Sequence, residues 1–130
     1  MSTFRRDRNA EFLTRMNIRL IVIRTADMQR LVAFYELLGL NWEYHRHGES
    51  PFHYSTEVNE TVLEIYPLAK EQVGADKNLR LGFGIERFEE TMMLLKEKGV
   101  RFFSEPREAD FGFSAIVIDP DGRKIELYKV

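Results

Sequence analysis

Along this chain the spacing of apolar and polar residues changes rhythm several times, and the changes come in the same order twice. From Asn17, the stretch NIRLIVIRT is short and rich in β-branched residues, which predicts a buried strand. ADMQRLVAFYELLGL then sets Met28, Leu31, Val32, Tyr35 and Leu38 at helical spacing, with Asp27 or Thr25 as N-cap and Gly39 at the stop. Three strand-like runs follow: NWEYHR, then PFHYSTEV after a His-Gly-Glu-Ser turn, then TVLEIYPL after an Asn-Glu turn. The polar stretch AKEQVGADKN breaks the pattern and reads as a linker. After it LRLGFGI predicts a strand and RFEETMMLLKEKG a helix with Phe88, Met92 and Leu95 on one side. VRFFSEP, FGFSAIVID and RKIELYKV supply three more strands, the last two joined by the tight turn DPDG.

The chain therefore reads as a duplicated βαβββ unit. Gly39 and Gly99, at the two helix ends, are 60 positions apart, and the same offset carries Leu20 onto Arg80. Glu64 in VLEIYPL and Glu126 in KIELYKV are 62 apart, so the second copy has gained two residues in its loops. Residues 1–16 form an N-terminal extension, 17–68 the first module, 69–78 the linker and 79–130 the second module. The expected class is α+β, two tandem βαβββ modules whose curled mixed sheets enclose a cleft with the helices on the outer faces.

Successive strand side chains point to opposite faces. Leu63 and Ile65 thus face a helix while Glu64 and Tyr66 face away, and Ile125 and Leu127 are likewise opposed to Glu126 and Tyr128. The same parity puts Leu20, Val22 and Arg24 on one face, and Arg80, Gly82 and Gly84 on its counterpart, where alternate glycines leave room for a ligand or for close backbone approach. A concavity lined by Arg24, Glu64, Tyr66, Arg80, Glu126 and Tyr128 beside apolar Leu20 and Val22 suits a small organic ligand. Trp42, Tyr44, Phe52 and Tyr54 offer an aromatic wall for a flat ligand, although such a stripe is more commonly sheet packing.

Composition narrows the chemistry. A net charge of −2 with both signs dispersed gives no footprint for nucleic acid. The absence of cysteine excludes disulfides, thiolate nucleophiles and zinc–thiolate sites, and makes a cytoplasmic home the default. No stretch has the length of a membrane span. His45 and His47 share a face of one predicted strand and His53 lies on the next; an H-x-H pair on a strand can ligate one metal, although the commoner role for such a pair is two solvent-facing imidazoles near a turn.

Two stretches, VIRTADMQRLVAFYELLGL at the front and VIDPDGRKIELYKV at the end, together with the duplication between them, resemble the vicinal oxygen chelate superfamily of glyoxalase I, bleomycin-resistance proteins and extradiol dioxygenases. The resemblance spans Asn17 to Val130. It implies the paired-module fold and a homodimer with clefts completed across subunits. In metal-using members it also implies one ligand from each first strand, commonly His or Gln, and a Glu from each last strand. Those positions fall here on Leu20, Glu64, Arg80 and Glu126. Both glutamates are present as metal candidates, but Leu20 cannot ligate and Arg80 carries a permanent cation, so a divalent metal cofactor of the usual kind is disfavoured.

Two functions of different class follow from the resemblance. In the first, the protein sequesters a small organic ligand without the complete metal centre, receiving it on Glu64, Glu126 and the aromatic residues, with Arg24, Arg80, Tyr66, Tyr128, Trp42 and Tyr54 as the ligand-binding set. In the second, a lyase, isomerase or dioxygenase of glyoxalase type uses Glu64 and Glu126 as metal ligands and catalytic groups. A non-metal enzyme with a glutamate base and Arg80 polarising an oxyanion also fits the residues.

Overall fold

A computed structural model describes residues 16–130, so the N-terminal extension lies almost wholly outside the described residues. The first module comprises β1 (Leu20–Thr25), α1 (Met28–Glu36), β2 (Glu43–His45), β3 (His53–Val58) and β4 (Thr61–Pro67). The second comprises β5 (Leu81–Ile85), α2 (Phe88–Glu97), β6 (Phe102–Ala109), β7 (Gly112–Ile118) and β8 (Lys124–Lys129). Each makes a four-stranded mixed sheet, ordered β1-β4-β3-β2 and β5-β8-β7-β6, with the first and last strands of the module parallel neighbours. The fold is α+β, built of tandem modules with open sheets. The repeat arithmetic recurs in the register: Val22 pairs with Glu64 and Gly82 with Glu126.

The caps follow local chemistry. The Asp27 carboxylate accepts the Arg30 amide at 3.1 Å, satisfying one of the free donors of the first turn of α1. After each helix the chain reverses at a glycine in the left-handed region, Gly39 at φ +100° and Gly99 at φ +79°. α2 has no side-chain cap, but Glu89 and Glu90 place negative charge at its N-terminal end.

The helices bury Leu31, Val32, Phe34 and Tyr35 from α1 and Phe88, Met92 and Leu95 from α2, against Ile23, Leu63 and Ile65 in the first sheet and Ala115, Val117, Ile125 and Leu127 in the second. The core is continuous across the modules: Tyr35 meets Phe83 with ring centroids 6.0 Å apart. Burial raises the Tyr35 phenol well above its ordinary value, with Asp119 adding in the same direction. A polar strap reinforces the join. Asp119 Oδ1 accepts the amides of Asp121 and Arg123, its Oδ2 accepts Arg123 Nη1 at 3.0 Å, and Arg123 Nη2 donates to the Arg24 carbonyl at 2.8 Å. The DPDG segment thus does more than turn the chain; it seats a fully buried arginine that ties β8 to the end of β1.

One strand is longer than the sequence pattern implies. β6 continues through Pro106 to Ala109, because it is an edge strand whose pairing to β7 shifts register between Ser104 and Arg107. A missing amide is tolerated there, since no neighbour needs it.

Candidate functional site

The faces turned away from the helices carry the chemistry. In the first sheet, β-pairing sets Ser55 beside both Glu43 and Glu64, and Glu64 beside Val22, as one row across the strands. Two residues along, His45 pairs with His53 and Tyr66 pairs with Arg24. The His53 ring stacks on Tyr66 with centroids 4.1 Å apart and planes 10° from parallel. Arg24 covers the far side of that row, its guanidinium carbon 5.0 Å from the Tyr66 ring centroid and its Nη1 donating to the Pro67 carbonyl at 3.0 Å. Imidazole, phenol and guanidinium therefore succeed one another across the sheet.

At the other end of that row the histidines converge on Glu64. Ligand atoms of His45, His47, His53 and Glu64 all lie within 4.8 Å of one another. His53 is fully buried, with Nδ1 2.9 Å from the Pro51 carbonyl and Nε2 3.4 Å from Glu64 Oε2. His45 Nδ1 lies 3.3 Å from Glu43 Oε1, and Ser55 Oγ donates to Glu64 Oε2 at 3.1 Å. The Nε2 atoms of His45 and His53 are buried and have no hydrogen-bond partner. His47, 66 % exposed, sits 3.8 Å from Glu64 on the solvent side. It is positioned by a turn in which its amide donates to Ser50 Oγ and its carbonyl accepts the Ser50 amide.

The second sheet solves the same position differently. Arg80 Nη2 lies 2.6 Å from Glu126 Oε2, and the Tyr128 hydroxyl donates to Glu126 Oε1. Donating that proton to a carboxylate raises the Tyr128 phenol above its ordinary value, with burial adding to the effect. Glu126 is thus held by one cation and one hydroxyl. The alternate glycines serve neighbouring side chains: a Cβ at Gly82 would lie 3.2 Å from the Tyr128 ring, and one at Gly84 would lie 2.8 Å from Val130 Cγ1. The room expected there for a ligand is partly taken by the chain itself.

The family quartet of positions does not fit a metal as it stands. Leu20, 56 % exposed, offers no donor, and Arg80 brings its cation to Glu126. Trp42 and Tyr54 lie on the helix side, packed against the core, with Trp42 5.9 Å from Tyr35 between ring centroids; neither joins Arg24 and Tyr66 on the open face. Tyr44 pairs with Tyr54 and stacks on Phe52, so the aromatic stripe is mainly sheet packing. A shallow cavity of about 390 Å³ beside Arg24 is lined by Val22, Gln72, Asp76, Leu79 and Arg123. A larger recess of about 500 Å³, between α1 and the segment after α2, lies away from both carboxylate clusters.

The meeting of the three histidines was not foreseen from the strand pattern, although a signal existed. His45 and His53 are equidistant from Glu49, so a hairpin centred there pairs them, and His47 falls between.

A family model described as the Glyoxalase/Bleomycin resistance protein/Dioxygenase superfamily matches residues 17–127. Among solved structures, an antibiotic-binding protein from Streptomyces sp. CB03234 is 21 % identical with TM-score 0.71, covering 88 % of this chain and 95 % of its own. An integron cassette protein from Vibrio cholerae is 22 % identical with TM-score 0.68, covering 89 % and 96 %. A protein described as the oxidase ChaP-H2 is 17 % identical with TM-score 0.69, covering 88 % and 93 %. A comparison with curated protein sequences gives no match.

Proposed function

Since the chain belongs to the glyoxalase/bleomycin resistance protein/dioxygenase superfamily, we propose that it binds a small organic ligand on its open sheet faces, with Arg80 standing where metal-using relatives place a ligand. The observation that carries this reading is the Arg80–Glu126–Tyr128 cluster. A guanidinium has five N–H donors in a fixed fork, and the side chain of Arg80 remains 47 % exposed while Glu126 engages one nitrogen. Its remaining donors suit a carboxylate, phenolate or enolate oxygen of a ligand. Leu20 and Val22, 56 % and 40 % exposed, suit the apolar body of such a molecule. The shared fold of an antibiotic-binding protein is consistent with this use.

The same exposed strip supports a homodimer in which a second copy completes the ligand cleft over Leu20 and Val22. Among the described residues no helix is long and apolar enough to cross a membrane. The metal-dependent lyase, isomerase or dioxygenase reading with Glu64 and Glu126 as joint ligands is the less favoured one, because Arg80 and Tyr128 already occupy the Glu126 carboxylate.

The test is calorimetric titration with a panel of aromatic carboxylates and phenols, alongside Arg80→Ala and Glu126→Gln. Saturable binding weakened at least tenfold in Arg80→Ala is the expected result. Binding untouched by either substitution, with only thermal stability changed, sinks the assignment. Light scattering reads the dimer directly, and a strict monomer removes the covered strip.

A further inference from the structure

We propose that His45, His47, His53 and Glu64 form a binding site for one divalent transition-metal ion of the zinc, nickel, cobalt or iron(II) class, displaced from the family positions into the β2–β3 hairpin. The first argument is tautomeric. The Pro51 carbonyl can only accept, so His53 Nδ1 carries a proton and, in the neutral ring, Nε2 presents a lone pair. That lone pair faces a carboxylate oxygen 3.4 Å away from inside a fully buried side chain. Two acceptors face each other there, an arrangement that a cation between them resolves.

His45 repeats the logic. Its Nδ1 lies 3.3 Å from the Glu43 carboxylate, which favours the proton on that nitrogen, while Nε2 is buried and unpartnered. Imidazoles that ligate metals are commonly oriented in this way, by a carbonyl or carboxylate on the far nitrogen. A proton shared between His53 and Glu64 satisfies one pair and leaves His45 Nε2 orphaned, whereas a metal serves both rings and the carboxylate together. Glu64 is oriented in turn by the Ser55 hydroxyl.

The dimensions agree. Metal–nitrogen and metal–oxygen bonds of about 2.0–2.1 Å in a tetrahedral shell put ligand atoms roughly 3.3–3.4 Å apart. The His53–Glu64 separation is 3.4 Å and His47–Glu64 is 3.8 Å, and with every pair in the set within 4.8 Å, side-chain shifts of up to about 1.5 Å close the shell. Three imidazoles and one carboxylate select transition metals over magnesium or calcium. The chain has three histidines and no cysteine, and all three histidines are here. The exposed edge at His47 is the side from which an ion enters.

This assignment does not rest on ligand binding at Arg80, and the two fail separately. The experiment uses tag-free, chelator-treated full-length protein titrated calorimetrically with Zn²⁺ alone, with Co²⁺ binding followed by its visible d–d bands. One ion per chain is expected, with affinity reduced at least tenfold in His47→Gln and in Glu64→Gln and unchanged in Glu126→Gln. Because His53 is fully buried and its variants risk misfolding, the exposed His47 carries the test. Circular dichroism and melting of the metal-free variants establish that they are folded. Absence of saturable binding overturns the proposal, and so does binding that survives both His47→Gln and Glu64→Gln.

Discussion

Replacing Arg123 by leucine removes a side chain that is fully buried and joins Asp119, Asp121 and the Arg24 carbonyl. The Asp119 carboxylate, itself inaccessible, keeps the amides of Asp121 and Arg123 but loses its cation. Removing one partner of a buried ion pair costs about 3–5 kcal/mol, because the charge left behind is uncompensated. The Arg24 carbonyl loses a donor as well, but these effects share one network and do not add. For a domain of this size each kcal/mol lowers Tm by roughly 3–5 °C, so the expected loss is roughly 10–20 °C. Lysine supplies one charged group in place of a fork and recovers only part of it. The assay is thermal and urea unfolding of Arg123→Leu, Asp119→Asn and the double variant. A coupling energy below about 0.5 kcal/mol, or a Tm loss of under about 3 °C in Arg123→Leu, refutes the reasoning that this strap holds the modules together.

Three further outcomes are expected. Leu95→Ala empties a fully buried site on α2 and lowers unfolding free energy by about 2–5 kcal/mol in chemical denaturation. Asp27→Ala removes the side-chain acceptor at the start of α1 and costs about 1 kcal/mol by the same measurement, with Asp27→Asn close to neutral. Tyr35 and Tyr128 ionise above the ordinary tyrosine range in an alkaline absorbance titration. Since both phenols hold their protons longer folded than unfolded, the unfolded chain ionises first, and stability declines as pH rises above about 10; Tyr128→Phe lets only the Tyr35 part of that decline persist.

The duplicated order of strands and helix was legible in the sequence because periodicity, caps and turn residues are local signals. Gly39 and Gly99 end their helices, Asp27 caps α1, and the alternation around Glu64 and Glu126 recurs in the pairing of Val22 and Gly82. Strand parity also separated Arg24 and Tyr66 from the core, as the structure does. What it did not supply was the partner of each side chain across a hairpin or between modules.

Trp42 and Tyr54 illustrate the gap: aromatic residues satisfy a wall or a core equally well, and the choice fell to which face α1 covers. Pro106 looks like a strand end until β6 is known to be an edge, where its missing amide costs nothing. The DPDG turn reads as local until Arg123 is seen reaching the Arg24 carbonyl 99 positions away. The histidines are the most consequential case. The sequence determined that an acid would recur on each last strand, but pairing in the β2–β3 hairpin decided that Glu64 faces three imidazoles while Glu126 faces a guanidinium. Periodicity sets the face on which a side chain lies, and only the register and curl of the folded sheets set what stands opposite it.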